Sequence, residues 1–122
     1  MSSDPVFQAV GLQMTCAAIN MMSIEDARRA MRDSIEKAEG LIAGSQGFLS
    51  SFVGEKAKLL VLPEYFLTSF PLGEPIPAWQ SKACLEIGGD EYERLGGVAQ
   101  RQGIYLSGNA YELDPKFPQL YF

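Results

Sequence analysis

The sequence predicts an α/β protein in which short strands alternate with amphipathic helices around a partly parallel sheet. Three observations carry that expectation. Residues 59–62, Leu-Leu-Val-Leu, form an apolar run without polar alternation, the pattern of a strand buried on both faces of a parallel sheet. Before it, Ile24, Ala27, Met31, Ile35, Ala38 and Ile42 recur at helical spacing. A second extended stretch precedes that helix, giving a strand–helix–strand unit whose crossover is expected to be right-handed.

Taken in order, residues 6–14 read as the first strand, with Val6, Ala9, Val10, Leu12 and Met14 lining the sheet. Ser23 is a helix N-cap with Asp26 near the capping-box position. The polar face of that helix carries Arg28, Arg29, Arg32, Asp33, Glu36 and Lys37, a mixed-sign solvated surface with Asp33 and Lys37 at i,i+4 spacing. Residues 44–54 hold three glycines and three serines but also Phe48, Leu49, Phe52 and Val53, whose side chains require cover. They either continue the helix brokenly or dock on another surface.

The second strand stops at Pro63, which removes a backbone donor. Pro71, Pro75 and Pro77 predict an irregular loop over the carboxyl end of the sheet, with Trp79 either pinning it to the body or walling a pocket. Asp90 reads as an N-cap with Glu93 at the capping-box position, opening a helix that runs through Tyr92, Leu95, Val98 and Ala99 to Gly103. Gly96 and Gly97 weaken it but would let helix and sheet approach closely. Residues 104–112 read as a third strand leaving at Gly108, residues 114–118 as a turn, and residues 119–122 as the start of a fourth strand. A chain that stops on Leu-Tyr-Phe reads as a fragment, cut after Phe122.

Composition prunes the functional classes. At 122 residues, 47% hydrophobic and 20% charged, the chain is sized for one globular domain. A net charge of −5 without a basic cluster argues against nucleic acid. No apolar stretch has spanning length and residues 1–5 are not a signal-peptide opening, so a membrane is not expected and the cytoplasm is the default compartment. Cys16 and Cys84 match no metal spacing, and the absence of histidine removes Ser-His and Cys-His nucleophile schemes.

Glu64 stands out. It follows the second strand directly, between Pro63 and a run of aromatics, at the strand end where open α/β sheets place their sites. In apolar company a carboxylate finds donors or gains proton affinity, and the latter suits a general base. The bland alternative is a solvated loop residue.

Residues 62–71, Leu-Pro-Glu-Tyr-Phe-Leu-Thr-Ser-Phe-Pro, resemble the signature around the catalytic glutamate of the nitrilase superfamily, the carbon–nitrogen hydrolases. The Ala-Val-Gly-Leu-Gln-Met phrase at residues 9–14, the helix before the glutamate strand, the phrase at residues 99–105, Gly108 and the closing Leu-Tyr-Phe resemble family phrases in the same order. The resemblance implies that residues 1–122 are the amino-terminal part of one carbon–nitrogen hydrolase domain, with part of an α-β-β-α sandwich whose sheet is incomplete. It implies Glu64 as general base, a small-molecule amide or nitrile substrate, no metal or organic cofactor, and homo-oligomeric assembly. The family's lysine and nucleophilic cysteine match nothing here: Cys16, Cys84, Lys56 and Lys58 lie outside the expected contexts, so this chain alone is expected to be inactive. A small α/β binding or assembly module with a structural Glu64 is the alternative. A doubly wound nucleotide-binding domain ranks below both, because residues 14–18 lack the glycine-rich phosphate loop.

Overall fold

The computed structural model describes residues 6–122, so the absence of a signal-peptide opening at residues 1–5 is a reading that lies outside the described residues. Strand β1 (Gln8–Gly11) leads through an irregular segment to helix α1 (Ile24–Phe52) and strand β2 (Ala57–Val61). Helix α2 (Ile76–Ala83), strand β3 (Leu85–Glu86), helix α3 (Asp90–Gln102), strand β4 (Tyr105–Ser107) and strand β5 (Glu112–Leu113) follow. The protein is mixed α/β: β1, β2 and β4 form a parallel sheet with β2 in the middle, and β3 pairs with β5 in a separate parallel ribbon.

Register decides which face is covered. Val10, Leu60 and Leu106 stand side by side, as do Gly11, Val61 and Ser107 on the opposite face. Leu60 is fully buried in a core with Met31, Ile35 and Ile42 of α1 and Val98 of α3, whereas Val61 is 41% exposed. The expectation of a strand buried on both faces is therefore corrected: helices cover one side, and on the other Val61 and Tyr105 are exposed and Leu59 is half-buried. The apolar run at residues 59–62 thus exceeds what the folded chain itself buries.

Helix α1 begins as expected. Ser23 Oγ accepts the Asp26 N–H at 3.1 Å, and Glu25 and Asp26 occupy the first turn, where the helix dipole favours negative charge. It then runs unbroken for 29 residues, roughly 44 Å at 1.5 Å per residue. The glycines at 44 and 47 do not interrupt it, because buried Gln46 binds the chain beyond: its Nε2 donates to Ala57 O at 3.0 Å and its Oε1 accepts the Ala57 N–H at 2.8 Å. The helix ends where Gly54, at φ +82°, donates back to Leu49 O.

Several boundaries differ from expectation for local reasons. The first strand is confined to four residues. The proline-rich stretch forms α2 rather than a loop, since Pro75 caps it and Pro77 lies in its first turn, where a missing N–H costs nothing. Trp79 is fully buried in the core, so it pins this segment and walls no pocket. Gly89, not Asp90, caps α3; Asp90 is inside the helix and pairs with Arg94 at 2.8 Å. A Cβ at Gly96 would meet open space and one at Gly97 only the Arg101 side chain, so neither serves helix–sheet contact. Gly103, at φ 63°, ends α3 in the left-handed conformation expected of it.

The expected third strand divides into β4 and β5, separated by the Gly108–Asn109 corner. Residues 119–122 form no strand, although Phe122 and Glu112 exchange two backbone hydrogen bonds. Arg28, expected to be a solvated charge, is a strut: it donates to Cys84 O at 2.7 Å and to Ser81 O at 3.1 Å, and pairs with buried Glu91 at 3.3 Å. Asp33 and Lys37 do not pair, and both are exposed. Among the described residues no helix is long and apolar enough to cross a membrane.

Candidate active site

The carboxyl end of β2 is held from both sides. Leu12 N–H donates to Val61 O at 2.9 Å and Leu62 N–H to Ser107 O at 2.8 Å, extending the parallel ladder to the residue before Pro63. Glu64 comes next, at the first position of a tight turn. The Tyr65 N–H donates to Asn109 Oδ1 at 2.8 Å, tying the turn to the chain leaving β4. Thr68 and Ser69 N–H groups then close onto Tyr65 O.

This turn carries backbone strain. Tyr65, Ser69 and Leu72 adopt left-handed φ values of 55°, 64° and 52° without being glycine. Each such residue costs about 1–2 kcal/mol, and strain of this kind concentrates where geometry is imposed by function. What holds it is packing: Phe66 and Leu67 are buried, Asn20 Nδ2 donates to Phe70 O and Pro71 O, and Lys82 Nζ bridges Asn20 O and the Glu74 carboxylate. The Lys82–Glu74 pair is itself largely shielded, at 12% and 19% side-chain exposure.

An aromatic cluster begins at Tyr65, the residue after Glu64. Tyr65 stacks on Tyr111 at 5.5 Å, and Trp79 and Tyr121 meet Tyr111 edge-on at 5.6 and 5.5 Å. Burial, reinforced by the adjoining Tyr65 phenol, pushes Tyr111 up to about 12, so it remains a neutral phenol at physiological pH. The Glu64 carboxylate does not share this burial: it is exposed and forms no ion pair among the described residues. Of the two readings of Glu64, a carboxylate in apolar company or a solvated loop residue, the structure shows the solvated one: Phe66 and Leu67 are buried, and Glu64 is exposed on the turn.

A cavity of about 420 Å³ opens beside this turn, lined by Leu62, Phe66, Leu95, Ala99, Leu106 and Asn109. A second, of about 540 Å³, lies between α2 and the chain end, lined by Gln80, Glu86, Leu113 and Leu120 among others. Glu64 lines neither.

The remaining candidates do not converge on Glu64. Lys56 precedes β2 and Lys58 lies near its start, at the opposite end of the strand from Glu64. Cys84 is fully buried, and burial raises its thiol to about 11 against the weaker opposing pull of Arg28, so it is protonated and inert. Cys16 is half-buried, its thiol directed at Met14 O. No group of three or more metal-ligating side chains occurs among the described residues. Sequence reading did not single out Asn109, Asn20 or Lys82; only the Gly-Asn step after an apolar run hinted that the chain turns at Asn109.

These features define a parallel α/β protein with one exposed acid on a strained, well-anchored turn at the end of its central strand. No family model, curated protein or solved structure matches the chain.

Proposed function

We propose that this chain is the amino-terminal part of a nitrilase-superfamily carbon–nitrogen hydrolase, with Glu64 as the general base. The observation that carries the reading is the position of Glu64: an acid at the carboxyl end of the central parallel strand, on a turn fixed by Asn109 and by packing. Strain at Tyr65 and Ser69 supports it, as does the sheet face on which Val61 and Tyr105 are exposed, which suits packing of a second sheet in an α-β-β-α sandwich. In this chemistry a cysteine thiolate attacks the carbon of a small amide or nitrile, Glu64 accepts the thiol proton, and a lysine stabilises the developing negative charge. In this reading the thiolate and lysine come from outside residues 1–122, and the exposed Glu64 carboxylate is held by no ion pair among the described residues.

The non-catalytic alternative makes Glu64 a structural residue. Its exposed carboxylate, without an ion pair, weighs against that role. Two measurements test the reading. Glu64→Ala should change unfolding free energy by no more than about 0.5 kcal/mol; a loss of several times that makes Glu64 structural. In a chain extended through a downstream lysine and an elbow cysteine, amide or nitrile hydrolysis should vanish on Glu64→Gln and on thiol alkylation, while residues 1–122 alone turn over neither. Turnover that survives thiol alkylation overturns the mechanism.

A further inference from the structure

The cavity of about 420 Å³ beside the Glu64 turn is lined by residues of α3 on one side and of the edge strand β4 on the other. The turn itself supplies part of the wall. Leu62 and Phe66, two residues before and two after Glu64, are buried in the lining, so no more than about 7 Å of backbone separates Glu64 from either. Asn109, whose Oδ1 accepts the Tyr65 N–H, is exposed at the rim. What the cavity lacks is charge: no carboxylate, ammonium or guanidinium lines it among the described residues. The Tyr92 hydroxyl is committed to the Glu112 carboxylate, and the Asn109 Nδ2 group bonds nothing among the described residues. A charged group carried into this space would lose its hydration without gaining a partner, whereas hydrocarbon would gain by leaving water. Helix α3 also makes room. Gly96 lines the cavity from the helix interior, where glycine costs about 1 kcal/mol relative to alanine, yet a Cβ there would meet nothing within 4 Å and its backbone is not left-handed. Packing within the chain gives that glycine no task, and an occupied cavity does.

We propose that the cavity between α3 and β4 holds the uncharged alkyl or aryl body of the substrate, with the reacting amide or nitrile at its mouth beside the Glu64 turn. The substrates are then apolar amides or nitriles with a chain or ring large enough to fill this space, not charged ones and not the smallest ones. The volume lies within the range of about 300–1,000 Å³ usual for small-molecule sites. At the mouth the unbonded Asn109 Nδ2 group supplies a donor for the amide oxygen or nitrile nitrogen. Which end of the substrate reacts rests on the reading of Glu64 as the base, and the choice of an apolar body rests on the lining alone.

Titrating hexanamide, acetamide and 6-aminohexanamide into the isotope-labelled chain and following its methyl signals by NMR tests this. Hexanamide should perturb Leu62, Leu95 and Leu106 and bind about tenfold or more tighter than acetamide, which lacks the chain, or 6-aminohexanamide, whose ammonium would enter unpaired. Gly96→Leu puts a good helix former into the open space, so unchanged circular dichroism verifies the fold while hexanamide affinity falls about tenfold or more. Binding that ignores Gly96→Leu, or that 6-aminohexanamide matches, overturns the proposal. So does a chain extended through the downstream lysine and cysteine that no longer takes hexanamide, which would give the space to downstream residues. The two readings fail separately. An extended chain that hydrolyses all three amides equally well removes the apolar site and leaves Glu64 as the base, whereas hexanamide binding as expected without any hydrolysis keeps the apolar site and removes the role of Glu64.

Discussion

The Tyr65 N–H donates to Asn109 Oδ1 at 2.8 Å, joining the turn that carries Glu64 to the corner that ends β4. Both segments leave the same end of the parallel sheet, so this bond fixes where the Glu64 backbone sits relative to the strand beside it. Asn109→Ala should cost about 0.5–1.5 kcal/mol, the net worth of one such bond. It should also raise the hydrogen-exchange rate of the Tyr65 amide more than that of Leu62, which bonds to Ser107 O instead. Unchanged protection at Tyr65 would remove Asn109 from its anchoring role.

Gln46 satisfies both backbone groups of Ala57 from inside a buried helix face. Gln46→Leu keeps the volume but strands a donor and an acceptor, at about 1–3 kcal/mol each, so a total loss of about 2–6 kcal/mol is expected in denaturant titrations. Gln46→Glu is the sharper test. Its carboxylate still accepts from the Ala57 N–H but faces the Ala57 carbonyl with no proton to donate. The folded state should therefore hold that proton more tightly than the unfolded chain, raising the folded-state pKa of the substituted carboxyl. Its destabilisation is full above that raised value and shrinks as pH falls through it toward the unfolded value near 4.3. A deficit that does not depend on pH would refute the two-bond clamp.

Gly47 is an exposed residue inside α1, and a Cβ there would meet nothing within 4 Å. Gly47→Ala should stabilise the protein by about 0.5–1 kcal/mol through helix propensity alone. For a chain of this size that corresponds to about 2–5 °C in thermal unfolding. A fall in the midpoint would mean that the glycine serves a contact or a backbone geometry that these neighbours do not reveal.

Local chemistry was legible where it is self-contained. Ser23 and its first-turn acids announce the start of α1, and Gly103 announces the end of α3, because caps are made by neighbouring residues. The extent of α1 was not legible. Glycine and serine at residues 44–51 read as a break, and what carries the helix through is a contact with Ala57 beyond the helix end. Helix α2 was missed because prolines punctuate the stretch, yet Pro75 and Pro77 both fall where a helix start needs no donor.

At the candidate site, the sequence located Glu64 at the strand end but not its exposure. That depends on Phe66 and Leu67 turning into the core, which a bare run of aromatics does not specify. Asn20, Lys82 and Asn109 reach the Glu64 turn or its loop from distant parts of the chain, with no short-range pattern to mark them. The double-faced apolarity of β2 was legible, and it is the fold of these residues alone that leaves one face bare.

Two tyrosines set a limit on alkaline stability. Burial, then the hydrogen bond to Glu112, lifts Tyr92 to about 12, and burial first of all lifts Tyr111 to about 12. Below about pH 10 both phenols are protonated in folded and unfolded chains alike, so they impose no pH dependence there. Between about 10 and 12 the unfolded chain loses these protons while the folded one keeps them, so unfolding becomes easier as pH rises. Both phenols are partly shielded, and the loss should be gradual. Denaturant midpoints should therefore hold steady up to about pH 10 and decline above it, with tyrosinate absorbance near 295 nm completing late. Tyr92→Phe and Tyr111→Phe should each flatten part of that decline and remove part of the late absorbance. A decline of unchanged steepness in both variants would assign the alkaline sensitivity to other groups.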